Sequence, residues 1–550
     1  MAKLTKIRTT RAQEKELLQL SPFELKNTLI SLAQEETQKN ATTMLNAGRG
    51  NPNWIATTPR EAFFTLGLFG LEECKRVDNQ PGGLAGIPEK KGIAQRFLKF
   101  LSTNKKAPGI ELLAATYKYG IKEHGFDPDS WVHELAEGII GDQYPVPDRM
   151  LRYPEFIVHD YLVQEMCDNK APKKKYKLFA VEGGTAAMCY IFDSLMQNYL
   201  VKKMDSIALM VPTFTPYIEI PELERYEFNV VKINASAMNR EGRHTWQYPD
   251  SELDKLKDPA IKILFVVNPS NPPSAAIHPN SLKRIVQIVK DHNPNLVIVT
   301  DDVYGTFVPG FRSLMSVIPQ NTIGVYSFSK YFGCTGWRLG VIAVNEDNIF
   351  DTFIANLPLK QKQALRERYG TITLDPDELL FIDRMVADSR QVALNHTAGL
   401  SLPQQIQMML FAAFVLLDKR NKYKKLTQDL VQKRLKLLWK ELQIPLVADP
   451  MNAGYYTEID ILVWGRKVYS DDFNEWLKNN FEPVDILFRL AEKAGVVLLN
   501  GGGFEGPDWS VRVSLANLPT DMYKTIGQSI TAIMKEYAAA WKAGEGRTSL

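Results

Sequence analysis

Long apolar runs are missing from this 550-residue chain: the longest, Met408 to Leu417, falls well short of a membrane-crossing helix and reads as a buried helix. The opening residues, Met1-Ala2-Lys3-Leu4-Thr5-Lys6-Ile7-Arg8, lack the apolar core of a secretory signal. Cysteine is scarce. Cys74, Cys167, Cys189 and Cys334 lie far apart with no C-x-x-C spacing, so neither a zinc site nor a disulfide framework is expected, and a reducing cytoplasm fits. Charge of one sign is not in excess: 66 basic residues against 63 acidic ones leave a formal +3, with no basic patch to suggest a nucleic-acid or membrane-surface partner. Internal repeats and low-complexity tracts are absent too. With 45% hydrophobic and 23% charged residues, the chain is composed like a long enzyme subunit able to bury more than one core.

What is present is a rhythm of short apolar runs: Tyr176 to Val181, Ser206 to Val211, Ile261 to Val267, Leu296 to Thr300, Thr322 to Phe328 and Leu339 to Val344. Helical stretches such as Ser281 to Asp291 alternate with them, which predicts an α/β fold with a mostly parallel sheet. Five runs end in polar or glycine-rich residues: Glu182-Gly183-Gly184-Thr185, Pro212-Thr213-Phe214, Asn268-Pro269-Ser270-Asn271, Asp301-Asp302-Val303-Tyr304 and Ser329-Lys330. Open α/β sheets bind ligands at that edge. Upstream, Ser21-Pro22-Phe23-Glu24 has the form of a capping box with proline at the first helical position, opening a helix to about Glu36 that Asn46 to Asn53 breaks. Downstream, the basic stretch Lys419 to Leu442 reads as a helix. Alternating segments near Tyr455 to Val463 and Ser510 to Leu515 then predict a smaller α+β domain. The expected division is an N-terminal arm with part of the small domain (1–54), a large domain (55–415) with a charged helical insertion at about 348–390, and the rest of the small domain (416–550).

The densest chemistry lies in Ser327-Phe328-Ser329-Lys330 and, eight residues on, Arg338. A lysine that condenses with a carbonyl must offer a neutral amine, which burial near a second cation favours. Ser327 and Arg338 supply a hydroxyl and a guanidinium fork, both suited to a phosphate ester. Together they read as an anchor for pyridoxal 5'-phosphate with Lys330 as the catalytic residue. That cofactor needs an acid beside its ring nitrogen, because the protonated ring is the electron sink. Asp301, at a strand end, is the candidate, with Tyr304 and Asn271 able to reach the ring's phenolic oxygen. Gly184 and Thr185 open a helix whose N–H groups can face a phosphate. Phe214 offers a face for the ring. Arg512, in the alternating Val511-Arg512-Val513-Ser514, would be costly unpaired, and a substrate carboxylate suits it. Singly, these features have ordinary alternatives: a helix cap for Asp301, a turn for Asn-Pro, a core position for Phe214.

In chain order, G-G-T, P-T-F, N-P-x-N-P, D-x-V-Y, S-F-S-K-x7-R and Arg512 resemble the fold-type I pyridoxal phosphate enzymes of the aspartate aminotransferase group, over roughly Asn46 to Leu518. The resemblance implies that Lys330 is the Schiff-base lysine, that Asp301 pairs with the ring nitrogen, and that Arg512 binds the substrate α-carboxylate, with Gly50 and Asn271 also beside the substrate. Tyr144, in Gln143-Tyr144-Pro145-Val146-Pro147, matches the tyrosine lent to the phosphate of a neighbouring subunit, which implies a homo-oligomer, at least a dimer. Within the group the chain is most similar to the aspartate 4-decarboxylases, which share Gly48-Arg49-Gly50-Asn51-Pro52-Asn53-Trp54, the 348–390 insertion and the long arm. That likeness implies β-decarboxylation of L-aspartate to L-alanine and carbon dioxide, side transamination, reactivation by an α-keto acid such as pyruvate, and dodecameric assembly. Two departures stand out: Asn271-Pro272-Pro273-Ser274 replaces a common N-P-T-G, and Tyr217 takes the place of a histidine behind the ring aspartate. A dedicated aminotransferase is the alternative. A non-catalytic pyridoxal phosphate-binding regulator is remote, because it needs a basic helix-turn-helix and only 45 residues precede Asn46.

Overall fold

The computed structural model describes residues 7–40, 43–77, 81–145, 147–392 and 399–544; the first six residues, read above for a leader, lie outside them. Seven strands make the large sheet: β1 (Tyr176–Val181), β2 (Ser206–Val211), β3 (Asn229–Asn234), β4 (Ile261–Val267), β5 (Val297–Asp301), β6 (Thr322–Ser327) and β7 (Gly340–Asn345). Their spatial order is β1-β7-β6-β5-β4-β2-β3. Strands β2 to β6 pair in parallel, and β7 runs antiparallel to both β1 and β6. The central strands carry unbroken apolar sequence because both faces are covered: Ile263, Val299, Ile323 and Ile342 are all fully buried. The edge strand β3 is not among the apolar runs of the sequence, since only Ile233 of its six residues is fully buried.

Reversal of β7 has a direct effect on the site. Its first residue, Gly340, pairs with Ser327 at the end of β6 and Val181 at the end of β1. The segment just before β7, carrying Arg338, therefore arrives at the edge where the parallel strands end. Lys330 leaves β6 at the same place, and the turn behind it is tight. Gly333 has φ of +61°, and a Cβ there would fall 1.9 Å from the Trp54 carbonyl oxygen, so only glycine fits.

A block of helices precedes the sheet, including Thr57–Arg76, Pro128–Ile140 and Arg152–Met166, and packs around the helix Leu402–Leu417, which holds the longest apolar run as a mostly buried element. The segment read above as an insertion forms the helices Ile349–Ala355, Leu359–Tyr369 and Phe381–Val392. It docks through buried Asp388, which accepts hydrogen bonds from Ser194 (2.7 Å) and Arg368 (2.8 Å). Ser194 lies on the helix Gly184–Gln197, which follows β1.

A second core lies under a three-stranded antiparallel sheet of β8 (Tyr456–Asp460), β9 (Leu499–Asn500) and β10 (Ser510–Ser514), with β10 in the middle. Leu25 and Leu29 of the helix Pro22–Asn40 share this core with Leu435, Val513 and Ile530. That helix, preceded by a short one at Arg11–Leu17, runs four residues past Glu36, and its Glu24 N–H donates to Ser21 Oγ at 3.4 Å. The alternation read from Tyr455 to Val463 stops at Asp460. Its carboxylate accepts from the N–H groups of Leu462 and Val463, both at 2.9 Å, and starts the helix Ile461–Val468. Among the described residues no helix is long and apolar enough to cross a membrane, and no cluster of side chains could hold a metal ion.

Candidate active site

A cavity of about 350 Å³ opens at the sheet edge defined by the ends of the parallel strands. The structure brings eleven of the sequence candidates to it: Gly50, Gly184, Thr185, Phe214, Asn271, Asp301, Tyr304, Ser327, Lys330, Arg338 and Arg512. Tyr144 does not join them. It is 71% exposed and lies by a separate surface hollow beside His133 and Glu134.

Lys330 Nζ donates to the Gly50 carbonyl at 3.2 Å, and the same oxygen accepts from Tyr455 OH at 2.8 Å. The backbone after the lysine is held from three sides. Tyr331 O accepts from Trp54 Nε1 (3.0 Å) and Tyr423 OH (2.7 Å), while Gly333 O accepts from Arg60 Nη2 (2.7 Å). These bonds fix the point from which the lysine side chain starts.

Asp301 closes β5 with its carboxylate in the cavity wall. Oδ2 accepts from Tyr217 OH at 2.6 Å and Oδ1 from the Val303 N–H at 3.1 Å. Burial pushes this carboxyl upward in pKa, and Tyr217, Val303 and the charge of Lys330 oppose the push. Tyr217 thus does the work anticipated for a histidine at its position. Its bond to a buried carboxylate is of the kind worth ~1.5–3 kcal/mol. Tyr217→Phe is therefore expected to weaken pyridoxal phosphate retention roughly tenfold, measured by equilibrium dialysis, with the thermal midpoint little changed.

At the opposite corner the helix Gly184–Gln197 begins without a side-chain cap, leaving its first-turn N–H groups open. Gly183 has φ of +95°, and a Cβ there would stand 2.3 Å from Arg338 Nη2, so the missing side chain lets the guanidinium lie across the helix end. Arg338 donates to Thr335 O (2.9 Å) and Glu182 O (3.2 Å), both neutral acceptors. Ser327 Oγ and Ser329 Oγ lie 3.0 Å apart beside them. Open N–H groups, hydroxyls and a guanidinium with neutral partners converge here, the donor set of a phosphate site.

The third corner is Arg512, 1% exposed. Nη1 donates to Asn271 Oδ1 (3.1 Å), Nη2 to Gly48 O (2.9 Å), and Nε has no partner. The guanidinium carbon stands 4.4 Å from the Tyr456 ring centroid and 4.8 Å from that of Phe504. Burial lowers its pKa, yet an arginine stays charged, and a buried charge with neutral partners has room for an anion. Tyr304 OH donates to Tyr456 OH at 3.2 Å, and Tyr456 itself lines the cavity.

Several contributors were not singled out as site residues. Ser329 sits inside the recognised motif and was legible there. Phe23, from the helix Pro22–Asn40, and Tyr456, from the small sheet, line the cavity without any local signal. Lys26, partly buried, has its pKa lowered first by burial and then by the charges of Arg49 and Arg512. The departure at Ser274 also has a physical reason: φ is +60°, a region that favours the glycine of N-P-T-G, and the serine Oγ accepts from the Tyr456 N–H at 2.8 Å.

An amine, a buried acid and a phosphate cradle at separate corners of one cavity suit the aldehyde, ring nitrogen and phosphate of pyridoxal phosphate, so the residues present fit that cofactor. A sheet of seven strands with one reversed, a smaller sheet beside it and a lysine at the strand ends define the fold-type I aminotransferase architecture. Residues 122–530 match the class I and II aminotransferases, and the chain belongs to that family. The family uses pyridoxal phosphate. A protein of a Pseudomonas species named bifunctional aspartate aminotransferase and L-aspartate beta-decarboxylase is 48% identical over 528 residues, covering 96% of this chain and 98% of that one. Among solved structures, the aspartate aminotransferase of Thermus thermophilus with maleate aligns over 96% of this chain and 100% of that chain, with a TM-score of 0.54 at 16% identity. The aromatic aminotransferase of Pyrococcus horikoshii OT3 aligns over 90% and 96%, with a TM-score of 0.56 at 18% identity. These two similarities concern the fold alone.

Proposed function

We propose that this protein removes the β-carboxylate of L-aspartate, giving L-alanine and carbon dioxide, and transaminates aspartate as a side reaction. The observation that carries the reading is Arg512, buried with neutral partners in the cavity of Lys330 and Asp301. Its setting is a chain 48% identical, nearly end to end, to a protein named for both activities.

Pyridoxal phosphate, when bound, supplies a conjugated ring that accepts the electrons released at the substrate carbons. Arg512 holds the α-carboxylate by its fork, and Asn271 steadies the fork. Lys330 Nζ takes the proton from the substrate α-carbon, a positioned transfer of the kind that contributes on the order of 10²–10⁴-fold. Asp301, held by Tyr217, would keep a proton on the ring nitrogen. Tyr304 and Asn271 would orient the ring oxygen, Phe214 would offer an aromatic wall, and Gly184, Thr185, Ser327 and Arg338 would hold the phosphate.

The β-carboxylate is assigned a different environment, the partly buried Lys26 and the exposed Arg49, whose charges act on one another beside that of Arg512. A rigid clamp would stabilise the ground-state anion more than the transition state that is losing its charge. A looser pair of cations favours loss of carbon dioxide over transamination.

The same reading makes the protein a cytoplasmic homo-oligomer, at least a dimer, in which the exposed Tyr144 serves a neighbour's phosphate; dodecameric assembly follows the aspartate 4-decarboxylase likeness. Residues 1–54 serve as its N-terminal arm and part of the small domain and 416–550 as the rest of that domain, a reading supported by their shared core, around a large domain of 55–415 with a helical insertion at about 348–390.

Product analysis tests the reaction. Purified protein with pyridoxal phosphate, L-aspartate and a trace of pyruvate is expected to release carbon dioxide and alanine far beyond the pyruvate supplied, with little oxaloacetate. Oxaloacetate matching the pyruvate consumed, without carbon dioxide, would make it a dedicated aminotransferase instead.

A further inference from the structure

We propose that Glu458 is a positioning residue that works as a neutral acid: protonated, it holds the loop behind Arg512 while leaving that arginine's charge for the substrate carboxylate, and ionised, it weakens capture of that carboxylate. The proposal rests on the reading of Arg512 as the carboxylate site.

Glu458 is 2% exposed and lies on β8 directly opposite Arg512 on β10, so both side chains leave the same face of the small sheet. Its hydrogen bonding is short of donors. Ser510 Oγ is 2.7 Å from Pro507 O and donates to Glu458 Oε1 at 2.8 Å. A hydroxyl carries one proton, and a carbonyl can only accept. One serine proton thus serves two acceptors, and a proton on the Glu458 carboxyl lets both contacts be hydrogen bonds at once. Oε2 has no partner at all, so an ionised carboxylate would be left half unpaired in a dry interior.

The loop closes on this carboxyl. A Cβ at Gly506 would fall 2.2 Å, and one at Gly501 2.6 Å, from Oε1. Phe504, between these glycines, packs on the Arg512 guanidinium, and its carbonyl accepts from the Thr213 N–H at 2.9 Å. The acid thereby ties the substrate clamp to the strand end that carries Phe214.

The surrounding charges agree. Burial drives the carboxyl up to about 8 against the opposing hydrogen bond from Ser510, and Asp460 on the same strand adds to the push while Arg512 opposes it. Asp460 is paired with His244 (2.9 Å), and Glu505 of the loop with Lys232 (2.7 Å). On the far side of Arg512 stand the hydroxyls of Tyr456 and Tyr304. Arg512 is thus the cation whose charge a Glu458 carboxylate would offset.

The test is the dissociation constant of succinate, a dicarboxylate without an amine, measured by calorimetry on the holoenzyme from neutral to alkaline pH. In the wild type affinity is expected to fall above about 8, by up to tenfold per pH unit, the limiting slope of one proton, until it levels off at the affinity of the ionised form. Glu458→Gln, whose amide can donate to Ser510 as the protonated acid does, is expected to remove that extra slope. Glu458→Met, similar in length and uncharged, carries the same test where the glutamine variant does not fold. Profiles that overlap those of the wild type would overturn the proposal, as would absence of succinate binding at every pH. Failure of aspartate to yield carbon dioxide would instead strike the proposed reaction and leave the succinate profiles to decide on Glu458.

Discussion

Lys330→Ala should lose turnover with aspartate by roughly 10⁴-fold, the upper end of what a positioned proton transfer contributes, because in the proposed reaction the same amine would also anchor the cofactor. The lysine stands alone in its chemistry. Its recorded bond is to the Gly50 carbonyl, and the turn behind it is fixed by Trp54, Tyr423 and Arg60 through backbone oxygens that the substitution leaves in place. Folding should therefore survive. Two readouts separate the effects: mass spectrometry after borohydride reduction should show the cofactor adduct in the wild type only, and the thermal midpoints of the two proteins should stay close. Retained turnover in the alanine variant would remove Lys330 from the reaction.

Arg512→Met is expected to lower kcat/KM for aspartate by about 2–5 kcal/mol, the range seen when one partner of a buried, hydrogen-bonded charge pair is truncated. That corresponds to roughly 30- to 5000-fold. Methionine can fill the slot between the Tyr456 and Phe504 rings, so the loss should fall mainly on substrate capture and raise KM more than it lowers kcat. Lysine is the informative comparison. It restores the charge but not the fork that Asn271 and Gly48 hold, so Arg512→Lys should recover only part of the loss. Steady-state kinetics over a wide aspartate range would show the split, and an unchanged KM in Arg512→Met would place the carboxylate elsewhere.

The parts of this architecture visible in the sequence are those written in local pattern. Strands β4, β5 and β6 announce themselves because burial on both faces demands continuous apolar residues, and their polar ends mark the binding edge. Strand β3 pairs only with β2 and leaves most of its residues partly exposed, so its sequence lacks that signature. The alternation through Val463 fails for another reason: an aspartate cap overrides an apolar pattern that either element could use. At the cavity, Lys330, Asp301 and Arg512 come with a chemical requirement that a reader of sequence can recognise. Tyr456 and Phe23 do not, because a tyrosine or phenylalanine becomes part of a site only when tertiary structure carries it there. Glu458 was invisible in the same way, as its character depends on burial and on a serine 52 positions away.

The reversed strand β7 imposes a length rule on the chain. Between Lys330 and Arg338 the backbone must leave one strand and re-enter the sheet with Gly340 level with Ser327 and Val181, so a one-residue slip of that register would exchange the two buried faces of β7. Asn345, at the other end of β7, lies level with Tyr176 at the edge remote from the cavity, and the helical insertion begins only four residues later. This molecule is thus inelastic where it holds its cofactor and extensible where it does not.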